Sequence, residues 1–198
     1  MDKKELIKET ALELFRQSGQ ITIREISKES GVNVASINYY FGSKDNLLTE
    51  LEKLLIDEIK TILDKIINNS DTVSERRENF INEVYKFVKN SPGFLKFIVT
   101  LFTSQAHYDR LVIMARIFAD HNLKNFIGNM IRESAAIDDE EEINNRATIF
   151  YTSLTVSVIT AQAINHPNDE GSFMITRFMD KEPFASYCNT LFDIILKP

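Results

Sequence analysis

Residues 21–44 constrain the fold more than any other part of this 198-residue chain. Their apolar spacing predicts two short helices separated by a tight turn at Gly31, where a left-handed residue ends the first helix. Thr22 and Glu25 have the spacing of a capping box, and Asn33 is a suitable cap for the second helix. Two such helices are typical of a helix-turn-helix, whose second helix lies in the DNA major groove.

The remaining sequence has helical spacing of apolar residues and no strand pattern. A first helix ends at Gly19, and a long helix begins at Ser43 and extends to about Ile67. At 1.5 Å per residue, this helix carries the chain roughly 30 Å away from the helix-turn-helix. Further helices are predicted at about 73–90, 94–104, 108–136, 138–165 and 183–196. The sequence therefore predicts an all-α protein.

Composition excludes several classes of protein. A hydrophobic fraction of 43% and a charged fraction of 26% are typical of a globular domain, and no apolar run is long enough for a membrane span. The single cysteine, Cys188, cannot form an internal disulfide, which fits a reducing compartment. The amino terminus lacks the apolar core of a signal peptide. We expect a cytoplasmic protein that has no membrane partner.

The net charge of −6 is unusual for a protein that binds nucleic acid. Its distribution is uneven, because residues 16–44 hold four cations and two carboxylates, a net charge of +2, and the other residues carry −8. An acidic body behind a mildly basic tip would still orient that tip toward phosphate. Charge therefore permits DNA binding without indicating it.

No motif favours an enzyme or a metal site. The histidines His107, His121 and His166 fall on different predicted elements, and Cys188 has neither a CxxC partner nor a neighbouring histidine. Glycine-rich nucleotide loops and the nucleophile motif of hydrolases are absent from the sequence. We expect no catalytic residues, no metal and no cofactor.

The first 50 or so residues resemble TetR-type transcriptional regulators, most specifically in the run FGSKDNL. The residues that carry the resemblance are Ala11, Leu14, Phe15, Gly19, Thr22, Ile26, Gly31, Val32, Ile37, Tyr40, Phe41, Ser43, Lys44 and Leu47. Asn38 stands where tyrosine is commonest in the family and Ala35 where glycine is common, as in a subgroup with I-N-Y-x-F. The resemblance implies a helix-turn-helix DNA-binding domain at 1–45 and a larger helical effector-binding and dimerisation domain at 46–198.

The predicted DNA contacts face outward once Val32, Ile37 and Phe41 pack inward. Asn38 has the donor and acceptor that pair with adenine, and the resemblance adds phosphate contacts from the tyrosines and Thr22. The predicted set is Thr22, Arg24, Lys28, Ser36, Asn38, Tyr39, Tyr40 and Lys44. Structural alternatives exist: packing for the tyrosines, capping alone for Thr22, solvation for Arg24 and Lys28, and a glutamate partner for Lys44.

The resemblance also implies an effector pocket among the middle helices, where phenylalanine is frequent. Aromatic residues at helical spacing usually fill a core, so core packing is the alternative. The predicted pocket residues are Phe87, Phe94, Phe97, Ile98, Leu101, Phe102, Gln105, Tyr108, Arg116, Phe118, Phe126 and Tyr151.

Residues 147–161 are apolar or small nearly all round, so this helix must be buried on more than one side. Together with the last helix it suggests a four-helix bundle between two copies, as family members use; a monomeric core is the alternative. The predicted interface residues are Phe150, Leu154, Val158, Ala161, Phe184, Tyr187, Leu191 and Ile195.

These features favour a homodimeric, ligand-responsive transcriptional regulator. We expect it to bind a palindromic operator in double-stranded DNA and to act as a repressor that a small hydrophobic effector releases. The alternative is a ligand-binding or protein-interaction module in which the helix-turn-helix is only a scaffold.

Overall fold

The computed structural model describes residues 2–93, 96, 121–163 and 180–198, and within these ranges the chain is helical and has no strand. The prediction of an all-α fold is confirmed. The described helices are α1 (Lys3–Ser18), α2 (Ile23–Ser30), α3 (Val34–Phe41), α4 (Lys44–Asn68), α5 (Val73–Asn90), α6 (His121–Ala135), α7 (Glu140–Ala163) and α8 (Lys181–Ile195). The predicted 94–104 helix and the start of the 108–136 helix lie outside the described residues.

Local capping sets the ends of the N-terminal helices where the sequence predicts them. Gly19 and Gly31 end α1 and α2 in the left-handed region, with φ values of 73° and 69°. The side chain of Asn33 accepts a hydrogen bond from Ser36 N–H, and that of Ser43 accepts one from Asn46 N–H. Each cap satisfies a helix N–H that has no partner within the helix.

Two clusters of buried side chains form the interior. The N-terminal cluster consists of Ile7, Ala11, Phe15, Ile21, Ile26, Val32, Ile37, Phe41, Leu47, Leu48, Leu51 and Leu55. The body cluster lies among α5, α6, α7, α8 and the second half of α4. Helix α4 supplies Leu55 to the first cluster and Leu63 to the second. The N-terminal cluster thus extends beyond residue 45, the last residue of the DNA-binding domain predicted from the sequence.

Four aromatic rings in mutual contact belong to the body cluster. Phe80 of α5 lies 5.6 Å from the ring centroids of Phe126, Phe150 and Phe192. These rings come from four different helices, so the phenylalanines join α5, α6, α7 and α8 in one core.

Most of the predicted dimer-interface residues have little accessible surface in the single chain. The buried members are Phe150, Leu154, Val158, Ala161, Phe184, Leu191 and Ile195. The hydroxyl of the remaining member, Tyr187, lies 2.8 Å from Ser157 Oγ and donates to the Ser153 carbonyl. These side chains pack α7 against α8 within one protomer, and their part in a dimer interface stays a prediction.

Candidate DNA interface

One face of helix α3 packs against the N-terminal cluster, and its other face is exposed to solvent. Ile37 and Phe41 are buried in the N-terminal cluster, as the sequence predicts, and Val32 beside the turn packs with them. Asn38 and Tyr39 are exposed, and Tyr39 is 84% accessible. An exposed tyrosine beside an exposed asparagine presents hydrogen-bonding groups from a rigid helix.

The two tyrosines of α3 lie in different environments. Their ring centroids are 5.4 Å apart and nearly perpendicular, an edge-to-face arrangement. Tyr40 is half-buried and packs against the N-terminal cluster, whereas Tyr39 projects into solvent. Packing therefore orients Tyr40, and Tyr40 in turn supports the ring of Tyr39.

Thr22 starts α2 with a complete capping box. Its hydroxyl oxygen accepts from Glu25 N–H at 3.2 Å, and its own N–H and hydroxyl donate to the Glu25 carboxylate at 2.8 Å. These hydrogen bonds lower the pKa of Glu25, with a further contribution from the charge of Lys44. The start of α2 thus carries a carboxylate, which offsets part of the attraction of that helix end for phosphate.

The predicted basic contacts are exposed, as a DNA contact requires. Lys44 is the first residue of α4 and is exposed, and its charge contributes to the lowered pKa of Glu25. Arg24 is exposed, and Lys28 Nζ lies 3.8 Å from Glu29 in a solvated contact. Lys44 is therefore the best-placed cation for a phosphate at the α3–α4 junction.

Arg16 does not belong to the basic tip, although the sequence-based charge count includes it. Its guanidinium forms an ion pair with Glu58 of α4, on the side of α1 that faces the body. The tip then retains Arg24, Lys28 and Lys44 against two carboxylates, a net charge of +1. The electrostatic attraction of the tip for DNA is therefore weaker than the sequence indicates.

Two contacts at the α3–α4 junction have no sequence motif that would reveal them. Asn46 Nδ2 donates to the Phe41 carbonyl at 3.1 Å, which joins the end of α3 to the first turn of α4. Lys4 Nζ lies 5.6 Å from the centroid of the Phe41 ring, a cation–π contact. Both contacts come from the tertiary fold and stabilise the end of the candidate recognition helix.

Only three predicted pocket residues lie among the described side chains, and they are divided between the two clusters. Phe87 packs against the N-terminal cluster, Phe126 stacks on Phe80, and Tyr151 contacts Phe150 in the body cluster, where burial raises its pKa well above the usual value. The predicted pocket residues outside the described ranges are Phe94, Phe97, Ile98, Leu101, Phe102, Gln105, Tyr108, Arg116 and Phe118.

A groove of about 270 Å³ lies elsewhere, between the end of α4, the start of α5 and α6. Its lining residues are Ile67, Ser70, Arg76, Asn125, Phe126 and Asn129. It shares Phe126 alone with the predicted pocket. No set of three metal-binding side chains meets within the described residues, and no helix there is long and apolar enough to cross a lipid bilayer.

The structure combines two capped helices joined by a tight turn, a second helix that faces solvent, and an all-α body. These features define a helix-turn-helix protein. Residues 7–51 match the family described as "Bacterial regulatory proteins, tetR family". The family comprises regulatory proteins, not enzymes. The match covers both capped helices and the first turns of α4.

Curated relatives agree with this assignment. The chain is 29% identical over 99 residues to a probable HTH-type transcriptional regulator, YttP, of Bacillus subtilis, and the match covers 48% of each chain. It is 25% identical over 127 residues to the HTH-type transcriptional regulators BetI of Brucella canis and Brucella suis, covering 63% of this chain and 64% of theirs. The chain thus spans about half the length of YttP and 64% of BetI.

Proposed function

We propose that this protein is a homodimeric transcriptional regulator that binds a palindromic operator in duplex DNA. The observation that carries the proposal is the exposed face of α3, where Asn38 and Tyr39 lie in solvent beside the buried Ile37. A helix whose buried face is packed on the domain and whose exposed face is polar can enter the major groove without reorganisation. A bacterial chromosome lies in the cytoplasm, so this is the compartment in which such a regulator acts.

The proposed contacts divide into base readout and phosphate positioning. Asn38 would read an adenine through its amide, and Ser36 a base or a phosphate. Tyr39, Tyr40, Thr22, Arg24, Lys28 and Lys44 would contact the backbone, which fixes register without specifying sequence. A tip with a net charge of +1 gains little from bulk electrostatics, so a second copy is needed for affinity.

The exposed faces of α7 and α8 would supply the dimer interface. Ile149 and Val156 of α7 are 50% and 62% exposed, and Ile194 of α8 is 55% exposed. Ile149, Thr152 and Val156 follow the spacing of one helix face, opposite the buried Phe150 and Leu154. An apolar stripe of this kind is suited to a second copy of the same helices.

Repression and its release by a small hydrophobic effector complete the proposal. An effector would act only by binding more tightly to one separation of the two DNA-binding tips than to another. The predicted Phe-rich segment of residues 94–118 is the proposed location for the effector.

Binding measurements at one fixed salt concentration test the DNA contacts. The probe is a duplex selected by the wild-type protein from fragments of its host's genomic DNA. Lys44→Ala should weaken binding to every sequence and lower the salt dependence by about one released counterion, and Asn38→Ala should relax preference at one base pair by about 1–3 kcal/mol. Lys181→Ala, an exposed lysine at the start of α8, is the matched control and should bind like wild type.

Wild-type affinities for Asn38→Ala, Lys44→Ala and Tyr40→Phe together would contradict the contact assignment. Absence of salt-dependent duplex binding by the wild-type protein would instead favour an interaction module in which the helix-turn-helix is only a scaffold.

A further inference from the structure

One polar cluster joins the DNA-binding tip to the body. Arg16 of α1 forms an ion pair with Glu58 of α4 through both guanidinium Nη atoms, with Nη1 3.3 Å from Glu58 Oε1. Nη1 also donates to Ser91 Oγ at 3.1 Å, just beyond the end of α5. The side chain of Arg16 is 18% exposed, and Ser91 is fully buried. One guanidinium thus connects three parts of the chain in a site that excludes most water.

Gly93 adds a backbone contact beside this cluster. A Cβ atom on Gly93 would overlap the Phe15 carbonyl and the Gly19 amide, and it would lie 2.6 Å from Ser18 N. This close approach explains why position 93 is a glycine, since only a residue without a side chain allows the two backbones to touch. The chain that leaves α5 is therefore packed directly on the last turn of α1.

Helix α1 is also part of the N-terminal cluster that supports α2 and α3. A rotation of α1 about its C-terminal end would therefore move α3 as well. We call Arg16, Glu58, Ser91 and Gly93 the Arg16 cluster. Its Ser91 and Gly93 directly precede residues 94–118, which hold most of the predicted pocket residues.

We infer that the Arg16 cluster sets the orientation of the helix-turn-helix on the body and thereby the spacing of the two recognition helices in the dimer. Arg16 is a positioning residue, because its guanidinium is bound by Glu58 and Ser91 and is not part of the exposed face of α3. The inference rests on the proposed function, in which two helices must meet major-groove faces about 34 Å apart.

Operator affinity depends on this orientation in a specific way. Once one tip of the dimer has bound its half-site, the other tip binds the second half-site at an effective concentration. That concentration depends on the fraction of time for which this tip has the position that the second half-site requires. Freeing the tip lowers that effective concentration and leaves the contacts within each half-site unchanged. The cluster should therefore affect binding to the full palindrome but not to an isolated half-site.

The experiment compares Arg16→Ala with wild type on the selected palindrome and on a duplex that carries one half-site. We expect the Kd for the palindrome to rise about tenfold and the Kd for the half-site to change by less than about twofold. Arg16→Lys keeps the charge opposite Glu58 but has a single cationic nitrogen, so its palindrome Kd should be intermediate. Gly93→Ala should reproduce the Arg16→Ala pattern by displacing the backbone after α5.

Two variants serve as matched controls. Arg76 of α5 pairs with Glu133 of α6 through two hydrogen bonds of 2.9 and 2.6 Å, entirely within the body. Arg76→Ala should leave both Kd values within about twofold of wild type if orientation, and not a general loss of stability, is the cause. Gly128→Ala, at a buried position in α6 where a Cβ would lie 3.3 Å from Ile143 Cγ2, is the corresponding control for Gly93→Ala.

The inference would be overturned if folded Arg16→Ala and Gly93→Ala bound the palindrome with wild-type affinity. It would also be overturned if each variant lost the same affinity for the palindrome and for the half-site, because an equal loss indicates damage to the DNA-binding tip itself. A wild-type protein that binds neither duplex would overturn the proposed function, and the inference with it. Circular-dichroism melting curves establish that each variant is folded.

Discussion

Among single residues, Cys188 gives a direct test of the body core. It is fully buried, and burial raises the pKa of its thiol to about 12. At pH 9 a thiol with the usual pKa of 9.0 is half ionised, whereas Cys188 should be only about 0.1% thiolate. We expect a disulfide reagent such as Ellman's reagent to react with the native protein at least about a hundredfold more slowly than with the protein in guanidinium chloride. Equal rates would show that the α8 side of the core is open to solvent.

Individual residues also show which predictions sequence alone can support. Ile37, Phe41 and Asn33 were predictable because their roles depend on spacing within a few residues of the chain. Arg16 was not, since its partners Glu58 and Ser91 are 42 and 75 residues away and no local pattern encodes that distance. The same reason explains Phe150 and Leu191: apolar spacing shows that a residue is buried but not whether its own chain or a partner covers it.

At the scale of elements, α2 and α5 begin with the same kind of capping box. Comparing the two therefore separates the effect of a cap on stability from its effect on DNA binding. Thr22 starts α2 and Thr72 starts α5, and each hydroxyl accepts from the N–H of a glutamate three residues later at 3.2 Å. Either threonine changed to alanine should lower the free energy of unfolding by about 1 kcal/mol, measured by urea denaturation. Thr22→Ala should also weaken operator binding, whereas Thr72→Ala should not. Equal operator affinities for the two variants would assign Thr22 to capping alone.

Helix boundaries were predictable for the same local reason. The α5 bounds match the prediction because Thr72 and Glu75 form a capping box at the start and Ser91 precedes Pro92 at the end. The outward face of α7 was not predictable in detail. Its residues are apolar or small on every side, so periodicity alone could not place Val156 outside and Leu154 inside.

At the scale of the whole molecule, the exposed stripe of α7 predicts the oligomeric state. Val156→Glu should convert the protein to a monomer at micromolar concentration, because two buried glutamates would face each other across a two-fold axis. Sedimentation equilibrium measures the mass, with Thr61→Glu on the exposed side of α4 as the control of equal charge. A Val156→Glu protein that remains dimeric would place the interface elsewhere.

Acid stability should depend in part on the pair between α5 and α6. The hydrogen bond from Arg76, followed by its charge, lowers the pKa of Glu133 below the usual 4.5. A carboxylate with a lowered folded-state pKa stabilises the native protein above pH 4.5, and this contribution is lost as the pH falls through the folded-state pKa.

Because Glu133 is half-exposed, the loss should be no more than about 1 kcal/mol. Urea denaturation at pH 7 and at pH 3 measures it: the wild-type protein should lose more stability between the two than Glu133→Gln, while Glu141→Gln should behave like wild type. The same pH dependence in all three would mean that this ion pair contributes nothing to folding.

The sharing of α4 by both clusters has a consequence for dissecting the protein. Leu47, Leu51 and Leu55 complete the N-terminal cluster, yet they lie on the same continuous helix as Leu63 and Ile66 of the body cluster. A fragment that ends at residue 45 would lack the leucines that cover Phe15 and Ile37, and would not fold alone. Heat should melt the chain in a single calorimetric transition, and limited proteolysis should release no stable N-terminal piece.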